Sequence, residues 1–270
     1  MGIIVGLLCA FLCGGSLVYA QSDSSHVFLS STLGTDVKTI WHNAGEVFTA
    51  PLHFTKEEWL ITGGILVGTV TLFAVDESGR SFALRNQSRT GDDIFKVGRE
   101  YGRAPYGLAL SGGLYVVGLL VGNNDIRSTG VMVFESLVFA GAITTILKSA
   151  VGRGRPYLNE GVWNFRGLQF DEDRYSLPSG HSTVAFAVSS SLAARIKNIW
   201  ATVGLYSLAT LTAASRVYHD EHWISDNFLG AVIGTTVGIA VVRLHEKKKD
   251  SSAQIRFVPS LNGLRAELIF

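Results

Sequence analysis

Charge is what this sequence has least of. Only 17% of its 270 residues are Asp, Glu, Lys or Arg, while 47% are hydrophobic; soluble domains carry roughly 25% charged residues. That shortage excludes a disordered chain and points to a membrane or to an unusually apolar bundle. The charges that remain nearly cancel, 23 Lys and Arg against 22 Asp and Glu, so no basic field exists to hold nucleic acid. Cysteine is scarcer still, with Cys9 and Cys13 alone, both inside MGIIVGLLCAFLCGGSLVYA. That opening stretch has no charged side chain and closes on Ala20, as an export signal cleaved before Gln21 would, with an uncleaved anchor as the rival. Cleavage would leave no cysteine, and so no disulfide, iron–sulfur cluster or thiol nucleophile.

Residues 21–56 are mixed and polar without a period. Beyond them six apolar segments alternate with polar connectors: Trp59–Val75, Gly107–Gly122, Val131–Leu147, Val184–Ala194, Trp200–Ala214 and Phe228–Val242, with Glu135 the one charged residue inside them. A soluble bundle would show charge on each outer face; segments apolar or small on every side fit helices packed closely in lipid. Their lengths of 11 to 17 residues fall short of the roughly 20 that span a bilayer core, so flanking residues or thin, tilted insertion would have to make up the difference. Trp59, Tyr106, Trp200 and Trp223 stand at segment starts, placed for an interfacial belt or, as readily, for a core. Past Arg243 a charged run ends the last helix, and Gln254–Leu261 and Leu264–Phe270 flank Asn262-Gly263, which predicts a β-hairpin. The expected organisation is a signal peptide or anchor over 1–20, a polar segment over 21–56, a helical domain over 57–244, and a charged tail with a small C-terminal β-hairpin over 245–270.

Three clusters carry the chemistry, each at an end of an apolar segment: Lys148 to Arg155-Pro156, Pro178-Ser179-Gly180-His181, and Ser215-Arg216 to His222 and Asp226. Short connections make consecutive helices antiparallel, which gathers all three at one end of the bundle. Lys148, Arg155 and Arg216 then form a cation cluster suited to phosphate, whose oxygens match guanidinium forks. Backbone N–H groups near Ser179 and Gly180 at a helix start add donors and a favourable dipole. Two histidines exceed what binding requires: one can attack phosphorus while the other protonates the leaving oxygen. Asp226, one helical turn beyond His222, can accept its ring N–H and fix the tautomer.

These blocks, Lys-x6-Arg-Pro, Pro-Ser-Gly-His and Ser-Arg-x5-His-x3-Asp in order, resemble the type 2 phosphatidic acid phosphatase and vanadium haloperoxidase superfamily. The resemblance spans about 130–244 and, through the helical layout, reaches back to about 57. It implies an all-α, six-helix bundle of the acid phosphatase/haloperoxidase type. It also implies that Lys148, Arg155 and Arg216 bind phosphoryl oxygens, with hydrogen bonds from Ser179 and the Gly180 amide. His222 would be the nucleophile that forms a phosphohistidine, Asp226 its partner, and His181 the acid for the leaving group and then the base for water. No metal or other cofactor is implied, since three side-chain cations can neutralise the oxygens that magnesium otherwise would.

The expected function is a metal-independent phosphatase of phosphomonoester or pyrophosphate groups, most favourably on lipid substrates such as phosphatidate or a polyprenyl pyrophosphate. The expected location is the cell envelope, exported, embedded in the membrane rather than soluble in the periplasm. The rivals are a soluble exported acid phosphatase on small phosphate esters, a vanadium haloperoxidase, and a headgroup-binding protein without turnover. His219 and His222 with Asp220 and Glu221 between them lack the spacing of a zinc motif. Glu135 should face the bundle or a neighbouring cation. The charges over 76–106 read as a solvated loop and short helix, and Trp163, Phe165 and Phe170 in the 157–177 connector as a surface loop or a lid.

Overall fold

Each of the six apolar segments coincides with a helix; five of these helices run on past the apolar stretch at both ends, while Gly107–Gly122 outruns its helix, which stops at Leu120. The computed structural model describes residues 23–252, 254–260 and 263–269; the expected signal and both cysteines lie outside them. Among the described residues there are eight α-helices, two more than the six expected. They are α1 (Asp23–Thr49), α2 (Lys56–Arg85), α3 (Arg89–Tyr101), α4 (Ala104–Leu120), α5 (Asn124–Val151), α6 (Gly180–Ile196), α7 (Ile199–Tyr218) and α8 (Ile224–Ser252). The chain divides into two compact units, residues 1–39 and 40–270, and the site lies in the second.

The additional helices fall where the sequence showed no apolar run. Helix α1 occupies the polar 21–56 stretch, and α3 the charged connector. Asp76 is no loop residue: α2 continues through it to Arg85, and its side chain is fully buried. Thr55 and Glu58 start α2 with reciprocal hydrogen bonds to each other's backbone N–H, so the helix begins where its first apolar residues do. Helix α3 docks through Tyr218, whose hydroxyl accepts from the Ser88 N–H at 2.8 Å and reaches Asp92 at 2.8 Å. Helix α8 runs through the expected boundary at 244/245. After it, Gln254–Ser260 (β1) pairs antiparallel with Gly263–Ile269 (β2); Asn262 of the expected turn lies outside the described residues.

Helix α6 sits at the centre, packed on α5, α7 and α8. Its approach to α8 is set by glycine: a Cβ at Gly230 or Gly234 would overlap the carbonyl oxygens of Ser179 and Thr183. Met132, Phe139, Ala140, Ala187, Val237, Val241 and Val242 form one buried cluster, with Ile40, Ala44 and Val47 of α1 against it. Glu135 is fully buried beside it, with both carboxylate oxygens 3.2 Å from Asn43 Nδ2 and one 2.8 Å from His245 Nε2. It faces the bundle, as its cost in lipid requires.

Among the described residues three helices, α2, α5 and α8 as far as Lys247, are long and apolar enough to cross a membrane. Extension of α2 and α5 beyond their apolar segments to 30 and 28 residues removes the length shortfall seen in the sequence. Helix α2 leaves Leu60, Ile61, Leu66, Val67 and Val70 exposed, an outward apolar face with no protein partner among the described residues. Of the four segment-start aromatics, Trp59, Tyr106 and Trp200 are exposed, whereas Trp223 is buried, with its indole N–H donating to the Gly154 carbonyl at 3.1 Å.

Candidate active site

Helices α5 and α7 end where α6 and α8 begin, which brings the three motif blocks to one end of the bundle. Lys148 stands in the last turn of α5, which stops at Gly152 with a left-handed φ of 61°. Its ammonium donates to the Tyr175 carbonyl at 2.5 Å, and Gly180 lies against its stem, where a Cβ would come 3.7 Å from Cε. Arg155 is fixed through Nε to the Glu172 carbonyl at 3.0 Å. Arg216, in the last turn of α7, is 5% exposed at its side chain. Its Nε is buried without a hydrogen-bond partner among the described residues.

Ser179 caps α6, its hydroxyl oxygen accepting from the Ser182 N–H at 3.4 Å. Its own N–H donates to the Asp226 carbonyl at 2.9 Å, so that donor is already engaged. The hydroxyl hydrogen and the Gly180 amide, one of the helix's first N–H groups without an intrahelical partner, are what Ser179-Gly180 can turn toward an anion.

Both histidines are held neutral. Burial, then the positive charges of Lys148, Arg155, Arg216 and His181, keep His222 well below the ordinary histidine value. Burial, then Arg216, Arg155, Lys148 and Arg103, push His181 down to about 3. A neutral imidazole is the form able to attack phosphorus, and an arriving phosphoryl dianion offsets the cations that suppress protonation.

His222 and Asp226 stand as their spacing requires but not at bonding distance: Nδ1 is 3.5 Å from Oδ2, and Nδ1 has no hydrogen-bond partner among the described residues. The Asp226 carboxylate, fully buried, instead receives Arg153 Nη1 at 2.6 Å, the Ser176 hydroxyl at 2.5 Å and the Trp223 N–H at 2.9 Å.

Arg153, Asp76, Ser176 and Ser225 are the residues that sequence reasoning missed. Arg153 is fully buried, and its second nitrogen, Nη2, donates to Asp76 at 2.9 Å. Asp76 also accepts the Ser225 N–H at 2.9 Å and its hydroxyl at 2.5 Å. The guanidinium lies 4.1 Å from the Phe73 ring centre and 5.5 Å from that of Trp223, a buried enclosure in which two carboxylates flank one cation. A usable signal was present: Arg153 lies inside the Lys148–Arg155 block, and Asp76 directly follows an apolar segment.

The 157–177 connector folds back over the end of α5 through hydrogen bonds from Gly154 to Asn164, Arg166 to Gly152 and Gln169 to Ser149, each of 3.0 to 3.1 Å. Trp163, Leu168 and Phe170 stay more than half exposed on it. Among the described residues no cluster of His, Cys, Asp and Glu is placed to hold a metal ion.

Comparison with known proteins bears on the same region. Residues 129–250 match the model of the PAP2 superfamily. A lipid A 1-phosphatase of Porphyromonas gingivalis is 36% identical over 84 residues, which is 30% of this chain and 19% of that protein. A lipid A 1-phosphatase of Rhizobium etli is 30% identical over 107 residues, 39% of this chain and 45% of that protein. The chain thus matches less than half the length of either. A transmembrane PAP2 type phosphatidylglycerolphosphate phosphatase from Bacillus subtilis superposes with a TM-score of 0.53 at 18% identity, over 72% of this chain and 98% of its own, a likeness of fold. Lys148, Arg155, His181, Arg216, His222 and Asp226 all lie within residues 129–250, the stretch over which this chain is similar to the PAP2 superfamily.

Proposed function

We propose that this domain is a metal-independent phosphatase acting on a phosphorylated lipid through a phosphohistidine intermediate. The observation that supports it above all is the pairing of a three-cation cluster with two neutral histidines, His222 buried and His181 half-buried, at one end of the bundle. Lys148, Arg155 and Arg216 hold the three non-bridging oxygens, with the Ser179 hydroxyl and the Gly180 amide as further donors. His222 attacks phosphorus through Nε2, the nitrogen turned away from Asp226, and Asp226 draws to hydrogen-bond distance as Nδ1–H gains positive charge. His181, protonated once the phosphoryl dianion has entered, gives its proton to the leaving oxygen. Neutral again, it takes a proton from the water that cleaves the phosphohistidine, and orthophosphate leaves.

The apolar outer face of α2 and the lipid A 1-phosphatase relatives favour a lipid substrate over a soluble ester. We read α2 and α4 through α8, the helices that coincide with the six apolar segments, as the membrane-embedded core of acid phosphatase type. The test is phosphate release by detergent-extracted protein with chelator present. Phosphatidate, lipid A carrying its 1-phosphate, a polyprenyl pyrophosphate and a soluble aryl phosphate would be compared side by side. Preference for the lipids is expected; equal or better turnover of the aryl phosphate would overturn the lipid assignment.

A further inference from the structure

Glu221 takes no part in the steps above, yet it touches the two guanidinium groups those steps depend on. A single carboxylate oxygen, Oε2, pairs with Nη1 of Arg155 and lies 3.5 Å from Nη2 of Arg216. Its position is built in. The Glu221 N–H donates to the Arg216 carbonyl at 3.0 Å. The preceding Asp220 adopts a left-handed φ of 59°, its carboxylate gripped by Arg80 Nε at 2.6 Å and Nη2 at 2.8 Å. Glu221 does not saturate the cluster, because Arg216 Nε remains buried and unpartnered.

Charge decides what such a carboxylate does. Lys148, Arg155 and Arg216 are the cations that face an entering anion, and Glu221 sets one carboxylate against two of them, which lowers the positive charge the anion meets. A phosphomonoester is close to a dianion near neutral pH. A diphosphate ester carries more negative charge, and would bring it against a carboxylate already seated on two of the cations. Released orthophosphate must likewise compete with Oε2 for the same guanidinium groups.

We infer that Glu221 is a specificity-determining residue: by sharing Arg155 and Arg216 it matches the pocket to a phosphomonoester dianion, disfavours diphosphate esters and hastens release of orthophosphate. This rests on the phosphatase reading above, and two kinds of measurement separate them. The first is calorimetric binding of inorganic orthophosphate to the wild type, Glu221→Gln and Glu221→Asp. The second is the ratio of kcat/KM for the monophosphate and the diphosphate of one alcohol.

Glu221→Gln, close in shape but uncharged, is expected to bind orthophosphate at least about tenfold tighter and to shift the ratio toward the diphosphate by a similar factor. Glu221→Asp keeps the charge on a shorter stem and is expected to stay nearer the wild type than Gln does on both readouts. Unchanged or weaker orthophosphate binding by the Gln variant, or an unchanged ratio, overturns the inference. No turnover of either ester by a wild type whose Gln variant binds orthophosphate tighter would sink the phosphatase reading and leave the charge role of Glu221 standing. If none of the three proteins binds orthophosphate, both fall.

Discussion

Replacing Asp76 by asparagine tests whether the buried Asp76–Arg153–Asp226 triad holds this end of the bundle together. Asp76 and Arg153 are both fully buried, and Asp76 accepts from Arg153 Nη2 at 2.9 Å and from the Ser225 hydroxyl at 2.5 Å through Oδ2, and from the Ser225 N–H at 2.9 Å through Oδ1. An asparagine can keep one carbonyl acceptor, but its NH2 group must then face donors, and Arg153 is left with one counter-charge in place of two. Breaking a buried pair by removing one partner costs about 3–5 kcal/mol; Arg153 retains Asp226, so the lower end, about 3 kcal/mol, applies. For a chain of this size each kcal/mol moves the thermal midpoint by about 2–4 °C, giving an expected drop of about 6–12 °C. The assay is thermal unfolding of detergent-extracted protein, with Asp76→Asn, Arg153→Met and the double variant in a cycle. The double variant should be more stable than the summed single losses predict, since Asp76 is then no longer a buried carboxylate without Arg153, and only Asp226 is left without its cation. A fall of less than about 2 °C for Asp76→Asn, or strict additivity, would refute the view that these charges depend on one another.

Three other outcomes follow from the site. His222→Ala should lose turnover by about three orders of magnitude or more while keeping its circular dichroism spectrum; substantial residual phosphate release would remove His222 as nucleophile. His181→Asn should harm an alkyl phosphate far more than an activated aryl phosphate, whose leaving group needs no proton; equal losses would count against a general acid at this position. Because burial and neighbouring cations depress His181 to about 3, the unfolded chain takes up a proton below about pH 6.5 that the folded protein refuses. Stability should therefore fall as pH drops from 6.5 toward 3, by at most about 1.4 kcal/mol per pH unit for this histidine. The thermal midpoint of His181→Asn should depend on pH less steeply than that of the wild type, and identical profiles would show that His181 contributes nothing to the slope.

The motifs were legible because their spacing follows the chemistry: helix ends carry Lys148, Ser179, Arg216 and Asp226, and antiparallel packing does the rest. The apolar segments located six helices but not their ends. Polar residues continue a helix wherever neighbours satisfy them, as the Ser225 backbone and Arg153 do for Asp76. Helix α1 gave no periodic signal because its sequence is mixed and polar, yet Ile40, Asn43, Ala44 and Val47 meet the bundle. Asp76 read as a connector charge and Arg153 drew no reading of its own, since sequence shows charge but not the carboxylate 77 positions away that pairs with it. Glu221 drew notice only as a member of a metal-like string; its contact with Arg155 and Arg216 depends on the turn that Asp220 makes.

Helix α2 touches the rest of the protein sparingly along its length, with Thr69, Phe73 and Asp76 its buried residues, yet its C-terminal half grips the residues around His222 twice, through Asp76 to Ser225 in the first turn of α8 and through Arg80 to Asp220 in the connector before it. A rod with a bare apolar half and its other end fixed to the loop that carries His222 is a lever. A bilayer thinner or thicker than its apolar length changes its tilt, and the tilt is delivered to the segment carrying Glu221 and His222. Turnover in vesicles should accordingly pass through a maximum as acyl-chain length is varied. Cutting the Arg80 linkage with Arg80→Gln should flatten that dependence, leaving the enzyme less responsive to the membrane around it.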